Sequence, residues 1–217
     1  MTEEGFTKLI RKMIGYKPVE GARSVNWISG VFGWCSALIQ RNACSRSELV
    51  DAAHLTHFHW VGDHMVSTVC KHKKDQDGSG IGKMKAIYAN PLNPELCCIL
   101  ALGVFMISRS KSRDSGVQKT KLFEGKAQHT RYGDVIKAAL KEFSDEEILQ
   151  VFGTTAENLA THSIRKFIID YLTSIIDGPN VCAVYIRAGW SLGNTQDRYI
   201  LGGLGEDNLI GRYKRIS

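Results

Sequence analysis

The first long apolar stretch carries a helical period. Trp27, Val31, Trp34 and Leu38 recur at spacings of 4, 3 and 4, the apolar face of an amphipathic helix, and the pattern predicts a helix over 24–40. A short helix over 46–53 follows, with Ser45 placed to cap it and Glu48 in its first turn. The period then changes. Residues 57–60 and 65–70 flank Val61-Gly62-Asp63 and read as a β-hairpin. Residues 71–85 are glycine-rich and basic, and Ala86-Ile87-Tyr88-Ala89 reads as a third strand. Pro91 and Pro94 end the sheet and open a helix over 94–108.

Residues 110–128 are polar without an apolar period, the pattern of a surface excursion. Helical periodicity resumes over 132–141. Ser144 with Glu147 forms a capping box ahead of the next helix, and Gly153 supplies its stop. Thr161 is placed to cap a helix through Ile176, ended by Asp177-Gly178-Pro179. Asn180 caps another that stops at Gly189. No internal repeat and no linker divides the chain. The fold class is α+β, mostly helical, with one small antiparallel sheet in the N-terminal third. Residues 1–23 read as an extension and 24–217 as one domain.

Composition narrows the function classes. A chain of 217 residues suits one large domain. The 28 Lys+Arg against 22 Asp+Glu give a net charge of +6, a lean towards polyanions. The longest apolar run, 96–107, falls short of the roughly 20 residues a membrane span needs. The opening MTEEGFTKLIRK lacks the apolar core of a signal peptide, so the expectation is a soluble chain that is not secreted. Six cysteines are too sparse for a disulfide scaffold, and the adjacent Cys97 and Cys98 suit buried thiols. His54, His57, His59 and His64 crowd one stretch, but no CxxC accompanies them. Imidazoles on the wet face of strands are the expected arrangement, with no metal. The run Gly78-Ser-Gly80-Ile-Gly82-Lys83 fails as a phosphate loop, because the first glycine is misplaced and Met84 stands where Ser or Thr would bind magnesium.

The informative chemistry is C-terminal. His162 and Arg165 share one helical face. Trp190 follows a glycine, and Tyr199 follows Trp190 by nine residues. A histidine, an arginine fork, an indole donor and a phenol can converge on one anion, although an H-x-x-R pair by itself is more often a solvated helix face. The three segments Ala160-Thr-His162-Ser-Ile-Arg165-Lys166, Arg187-Ala-Gly-Trp190-Ser-Leu-Gly and Asp197-Arg-Tyr199-Ile resemble the catalytic end of tyrosine recombinases. Within that family they are most similar to the Crypton-type recombinases of eukaryotic mobile elements. Upstream, Cys44-Ser-Arg46-Ser resembles the first-arginine motif, and Lys71-His-Lys73-Lys-Asp75-Gln-Asp-Gly78 the lysine turn. Ile87-Tyr-Ala-Asn-Pro91 resembles the strand and proline beyond it, and the stretch from Gly205-Glu-Asp207 to Gly211-Arg212 the tail. The resemblance spans residues 30–212.

That resemblance implies a recombinase catalytic domain over 24–217, with residues 1–23 the remnant of a linker or truncated core-binding region. It also implies roles. Tyr199 would be the nucleophile, joined to the 3′-phosphate. Arg46 and Arg165 would clamp the non-bridging oxygens, and Trp190 would add an indole hydrogen bond. His162 would orient the phosphate and help accept the tyrosine proton. Lys73 would protonate the 5′-oxygen leaving group, with Lys71 and Lys74 its rivals. No cofactor is implied. The partner would be double-stranded DNA bound by a homo-oligomer, with no membrane and no small-molecule substrate. The location would be nuclear in a eukaryote and otherwise cytoplasmic or nucleoid.

The chain departs from the family in three places. Glu48 lies two residues after Arg46 rather than three. Phe167-Ile168-Ile169 are bulkier than the residues usual after the second arginine. Few residues precede Arg46, too few for the helical clamp of a complete recombinase. The alternative reading is therefore a non-catalytic DNA-binding remnant, or a domesticated DNA-binding protein, with the same fold. A type IB topoisomerase would share the chemistry but needs an encircling clamp.

Overall fold

Short apolar stripes at helical spacing, each ended by a residue that can close the helix, account for most of the architecture. The computed structural model describes residues 1–15, 27–68, 84–108, 121–190 and 207–212. Helix α1 (Glu3–Ile14) buries Phe6, Leu9, Ile10 and Met13 along one side. The Thr2 hydroxyl accepts from the Gly5 N–H at 2.9 Å, and Glu3, Glu4, Arg11 and Lys12 place acid at its start and base at its end. The stretch that reads in sequence as an extension thus contributes a helix to the core. Its stripe at i, i+3, i+4 and i+7 was legible.

Helix α2 (Trp27–Ala43) runs through the centre, buried from Ser29 to its end. Phe32 packs edge-on against Phe123 at 5.0 Å and tilted against Phe105 at 6.4 Å. The brief α3 (Leu49–Ala52) follows. Ser45 does not cap it. The Ser45 hydroxyl is buried without a partner among the described residues, and Arg46 to Glu48 form turns before α3 begins.

Strands β1 (Phe58–Val61), β2 (His64–Thr68) and β3 (Met84–Ile87) form an antiparallel sheet in the order β1-β2-β3. Phe58 pairs with Ser67, and Met65 with Ile87. Val61 belongs to the strand, so the turn is the two residues Gly62-Asp63, with Gly62 at a φ of 60°. β1 is mostly exposed, whereas β2 and β3 pack inward and β3 meets α2.

Helix α4 (Cys98–Ser108) starts later than its proline signal, because Pro94–Leu96 form a separate 3₁₀ turn. The end of the expected surface excursion is instead core. Leu122 and Phe123 are buried, and the Leu122 N–H donates to the Ala53 carbonyl at 2.8 Å. Helix α5 (Gln128–Leu140) begins before its apolar stripe, since its cap comes from afar: the Asp51 carboxylate accepts from the Gln128 N–H at 2.6 Å. Helix α6 (Asp145–Phe152) has the Ser144/Glu147 capping box and ends on Gly153 at a φ of 67°. Helix α7 (Thr161–Ser174) has Ala160 at its cap position, with the Ser163 hydroxyl accepting from the Ala160 N–H at 3.1 Å. Helix α8 (Val181–Ala188) is capped by Asn180, which accepts from the Cys182 N–H at 2.8 Å. A last helical stretch covers residues 207–212. The chain is mostly helical with one small antiparallel sheet.

Gly33 allows α2 and α5 to approach, since a Cβ there would collide with the Val135 side chain. Alanine would gain helix propensity, about 1 kcal/mol, yet the collision falls in packed core. The Gly33→Ala variant should lose about 1–3 kcal/mol net, read as a lower urea midpoint. A midpoint at or above wild type would mean that Val135 yields without cost.

Candidate functional site

The site begins at the end of α2. A helix leaves its last four carbonyls without intrahelical partners, and here each of the four acquires one. The Ser45 N–H donates to the Gln40 carbonyl at 3.2 Å and the Cys44 N–H to that of Arg41 at 3.4 Å. This is the Schellman pattern, with Cys44 rather than glycine in the left-handed conformation at a φ of 48°. Arg187 of α8 donates to the Asn42 carbonyl from Nε at 3.1 Å and from Nη2 at 2.8 Å. Lys85 of β3 donates from Nζ to the Ala43 carbonyl at 2.6 Å. The chain leaves this junction with its direction fixed, and Arg46 emerges exposed two residues later.

Arg165 comes to the same place from α7. Only 4% of it is exposed, and its Nη2 donates to the Ala188 carbonyl at 2.7 Å. Its Nε is buried without a partner among the described residues. Burial lowers its pKa, and the nearby Arg46 lowers it further, against the opposing pull of Cys44 and Glu48. Two guanidiniums therefore sit within electrostatic reach of each other with an N–H to spare. Trp190 completes this edge. Gly189 closes α8 in the left-handed conformation and turns the chain, and Trp190 stacks edge-on against Tyr185 at 4.9 Å. Its ring lies 5.6 Å from the Arg165 guanidinium carbon and it remains 42% exposed. His162 is exposed one helical turn before Arg165 on α7.

Arg46, Arg165 and Trp190 are thus brought together, with His162 on the helix that carries Arg165. Tyr199, Lys73 and its rivals Lys71 and Lys74 lie outside the described residues. Among the described residues, no group of three or more His, Cys, Asp or Glu side chains is arranged to hold a metal ion. No helix among them is long and apolar enough to cross a membrane.

Two residues here escaped the sequence reading. Lys85 closes a basic, glycine-rich stretch of sequence, but it is an inward strand position paired with Ser67, 7% exposed. Burial pushes its pKa down to about 8; Arg187 and Arg165 push the same way, while Cys44 and Asp207 oppose them. Gln40 is the other, a buried amide inside the apolar α2. Neither has a periodic signature, and only a lysine interrupting a strand of otherwise apolar residues hinted at the first. The chain matches no family model, no curated protein and no solved structure.

The Lys85 shift has a defined sign. Below pH 8 the folded and unfolded chains are both protonated and the cost of the buried charge is fully present. Between pH 8 and the ordinary value of 10.5 the unfolded chain binds more protons, so stability rises with pH. Relative to Lys85→Met, the wild type should gain up to about 3 kcal/mol across that window, read by urea denaturation at pH 7.5 and 10. A difference between the two proteins that does not change with pH would refute the depressed pKa.

Proposed function

We propose that the chain breaks and rejoins DNA strands through a 3′-phosphotyrosyl intermediate, as a recombinase or integrase of a mobile element. The observation that carries this reading is the buried Arg165, with an unpartnered Nε, beside Arg46 and the half-exposed Trp190. A guanidinium held by a backbone carbonyl at Nη2 and still unpartnered at its buried Nε keeps a donor in reserve for a phosphate oxygen. A second arginine nearby suits the charge that accumulates as a phosphorus takes a fifth oxygen. Such a pair repels itself when empty and is relieved by an anion.

In this reading the Tyr199 oxygen attacks the scissile phosphorus and forms the P–O bond as the bond to the 5′-oxygen breaks. The phenol proton leaves towards His162, and Lys73 protonates the departing 5′-oxygen, so charge and protons balance. The phosphodiester is exchanged rather than hydrolysed, and the reverse attack by a 5′-hydroxyl restores the strand without a nucleotide cofactor. Arg46 and Arg165 bind the two non-bridging oxygens, while Trp190 adds its indole N–H. Double-stranded DNA is the substrate, favoured by the net charge of +6 and held by a homo-oligomer that brings two sites together.

Nicked suicide duplexes, built from the DNA flanking the gene, test the reading directly on a denaturing gel. Wild type should give a covalent protein–DNA band and Tyr199→Phe none, with non-covalent affinity nearly unchanged. A shift on a native gel with no covalent band from wild type would favour the DNA-binding remnant instead. Arg165→Lys keeps the charge but loses the planar fork, and should slow adduct formation by about a hundredfold. Near-normal cleavage by that variant would remove Arg165 from the phosphate. DNA affinity should also fall steeply between 50 and 200 mM salt, roughly a thousandfold if six phosphates are contacted, and a flat titration would argue against a backbone-binding surface.

A further inference from the structure

Gln40 spends its amide on three different elements. Its Oε1 accepts from the Tyr132 hydroxyl of α5 at 2.8 Å. Its Nε2 donates to the Thr161 carbonyl at 2.8 Å, the residue before His162, and to the Ser45 carbonyl at 3.3 Å, the residue before Arg46. Both amide hydrogens are engaged. The Tyr132 phenol is buried, which raises its pKa and keeps it a donor, and this fixes which end of the amide faces the two carbonyls. The Ser45 carbonyl lies in the irregular segment after α2, outside any helix, whereas the Thr161 carbonyl lies in the first turn of α7, where the amide adds a second bond to the one the helix supplies. Arg46 stands on that irregular segment rather than on a helix, and a site on loop backbone is only as exact as the bonds that hold it.

We propose that Gln40 is a positioning residue that sets the spacing between Arg46 and the α7 pair His162 and Arg165, so that both guanidiniums grip one tetrahedral oxyanion. The proposal rests on the strand-transfer reading only in taking that oxyanion to be a phosphate. The amide ties the two arms at the residues directly before Arg46 and His162, so a shift of one arm is transmitted to the other. A hydrocarbon in its place would leave the Tyr132 hydroxyl and the Ser45 carbonyl without this partner and would cut the tie to the Thr161 carbonyl, and each arm would settle by itself. Packing alone would keep the helices together but would not fix this spacing.

The test is a double-mutant cycle on the full chain, with Gln40→Met and Arg46→Ala singly and together. Affinity for orthovanadate is measured by titration calorimetry, and adduct formation on the nicked duplex in parallel. Gln40→Met should weaken vanadate binding about tenfold in the wild-type background and less than about twofold when Arg46 is already alanine. Equal losses in both backgrounds would reduce Gln40 to a structural role and overturn the proposal. If Gln40→Met does not fold, Tyr132→Phe takes its place in the same cycle, since it frees the amide to turn without removing it. Coupled vanadate binding by a chain that forms no adduct would uphold the Gln40 assignment and discard strand transfer. Adduct formation without coupling would do the reverse, and a wild-type chain that binds no vanadate would overturn the Gln40 assignment.

Discussion

The buried Arg187 guanidinium holds the rest of the site in place. It is 2% exposed, and from α8 it reaches the Asn42 carbonyl at the end of α2, the Ala86 carbonyl of β3 at 2.7 Å, and both the backbone and the carboxylate of Asp207. A buried cation is tolerated only where its donors are satisfied and its charge is offset. Here Asp207 supplies the charge and three carbonyls the remaining acceptors. Asp207 also accepts from the Ala86 N–H at 2.5 Å. One ion pair thereby fastens four segments that are far apart in sequence: the end of α2, the third strand, α8 and the helical stretch over residues 207–212. Without it the Asn42 carbonyl loses this partner and the contact between β3 and the helical stretch over residues 207–212 is weakened.

The position of the tie explains why positive charge accumulates there. A helix C-terminus carries partial negative charge, so cations are favoured beside it. Arg187 and Lys85 use that preference to close α2, and Arg165 and Arg46 then lie at the edge of the same region. Closing the helix with side chains rather than with a glycine turn has a local cost. Cys44 occupies the left-handed conformation, which costs a non-glycine residue about 1 kcal/mol. The return is that the chain leaves the junction held by strand and helix at once, and Arg46 inherits that stiffness through Ser45 and Gln40.

Elements closed by their own neighbours in sequence were legible, and elements closed at long range were not. The Ser144/Glu147 box, the Asn180 cap and the Gly153 and Gly189 stops all act within a few residues, and α6 and α8 form where those signals place them. By contrast α5 starts at Gln128 because Asp51 reaches it from another helix, and Ser45 looked like a cap but lies buried in the junction. The same division holds for the site. The His162, Arg165 and Trp190 positions carry a pattern along the chain. Gln40, Lys85 and Arg187 act chiefly through partners between 20 and 145 residues away, and no local pattern announces a buried polar residue whose partners come from elsewhere.

What is left unpaired is as telling as what is paired. Arg187 and Arg41 are buried cations with carboxylate partners, Asp207 and Glu3. Arg165 is nearly as buried and lies within the field of Glu48, yet forms no ion pair with it among the described residues. Glu48 is exposed, and a shift of its turn towards Arg165 would trade water for a charge-assisted bond. The junction that fixes Cys44, Ser45 and Arg46 leads directly into the turn that carries Glu48. A protein arranged for stability alone would close that gap. Leaving a buried guanidinium nitrogen unpartnered beside a second arginine costs folding energy, a cost that the phosphate of the proposed reaction would offset.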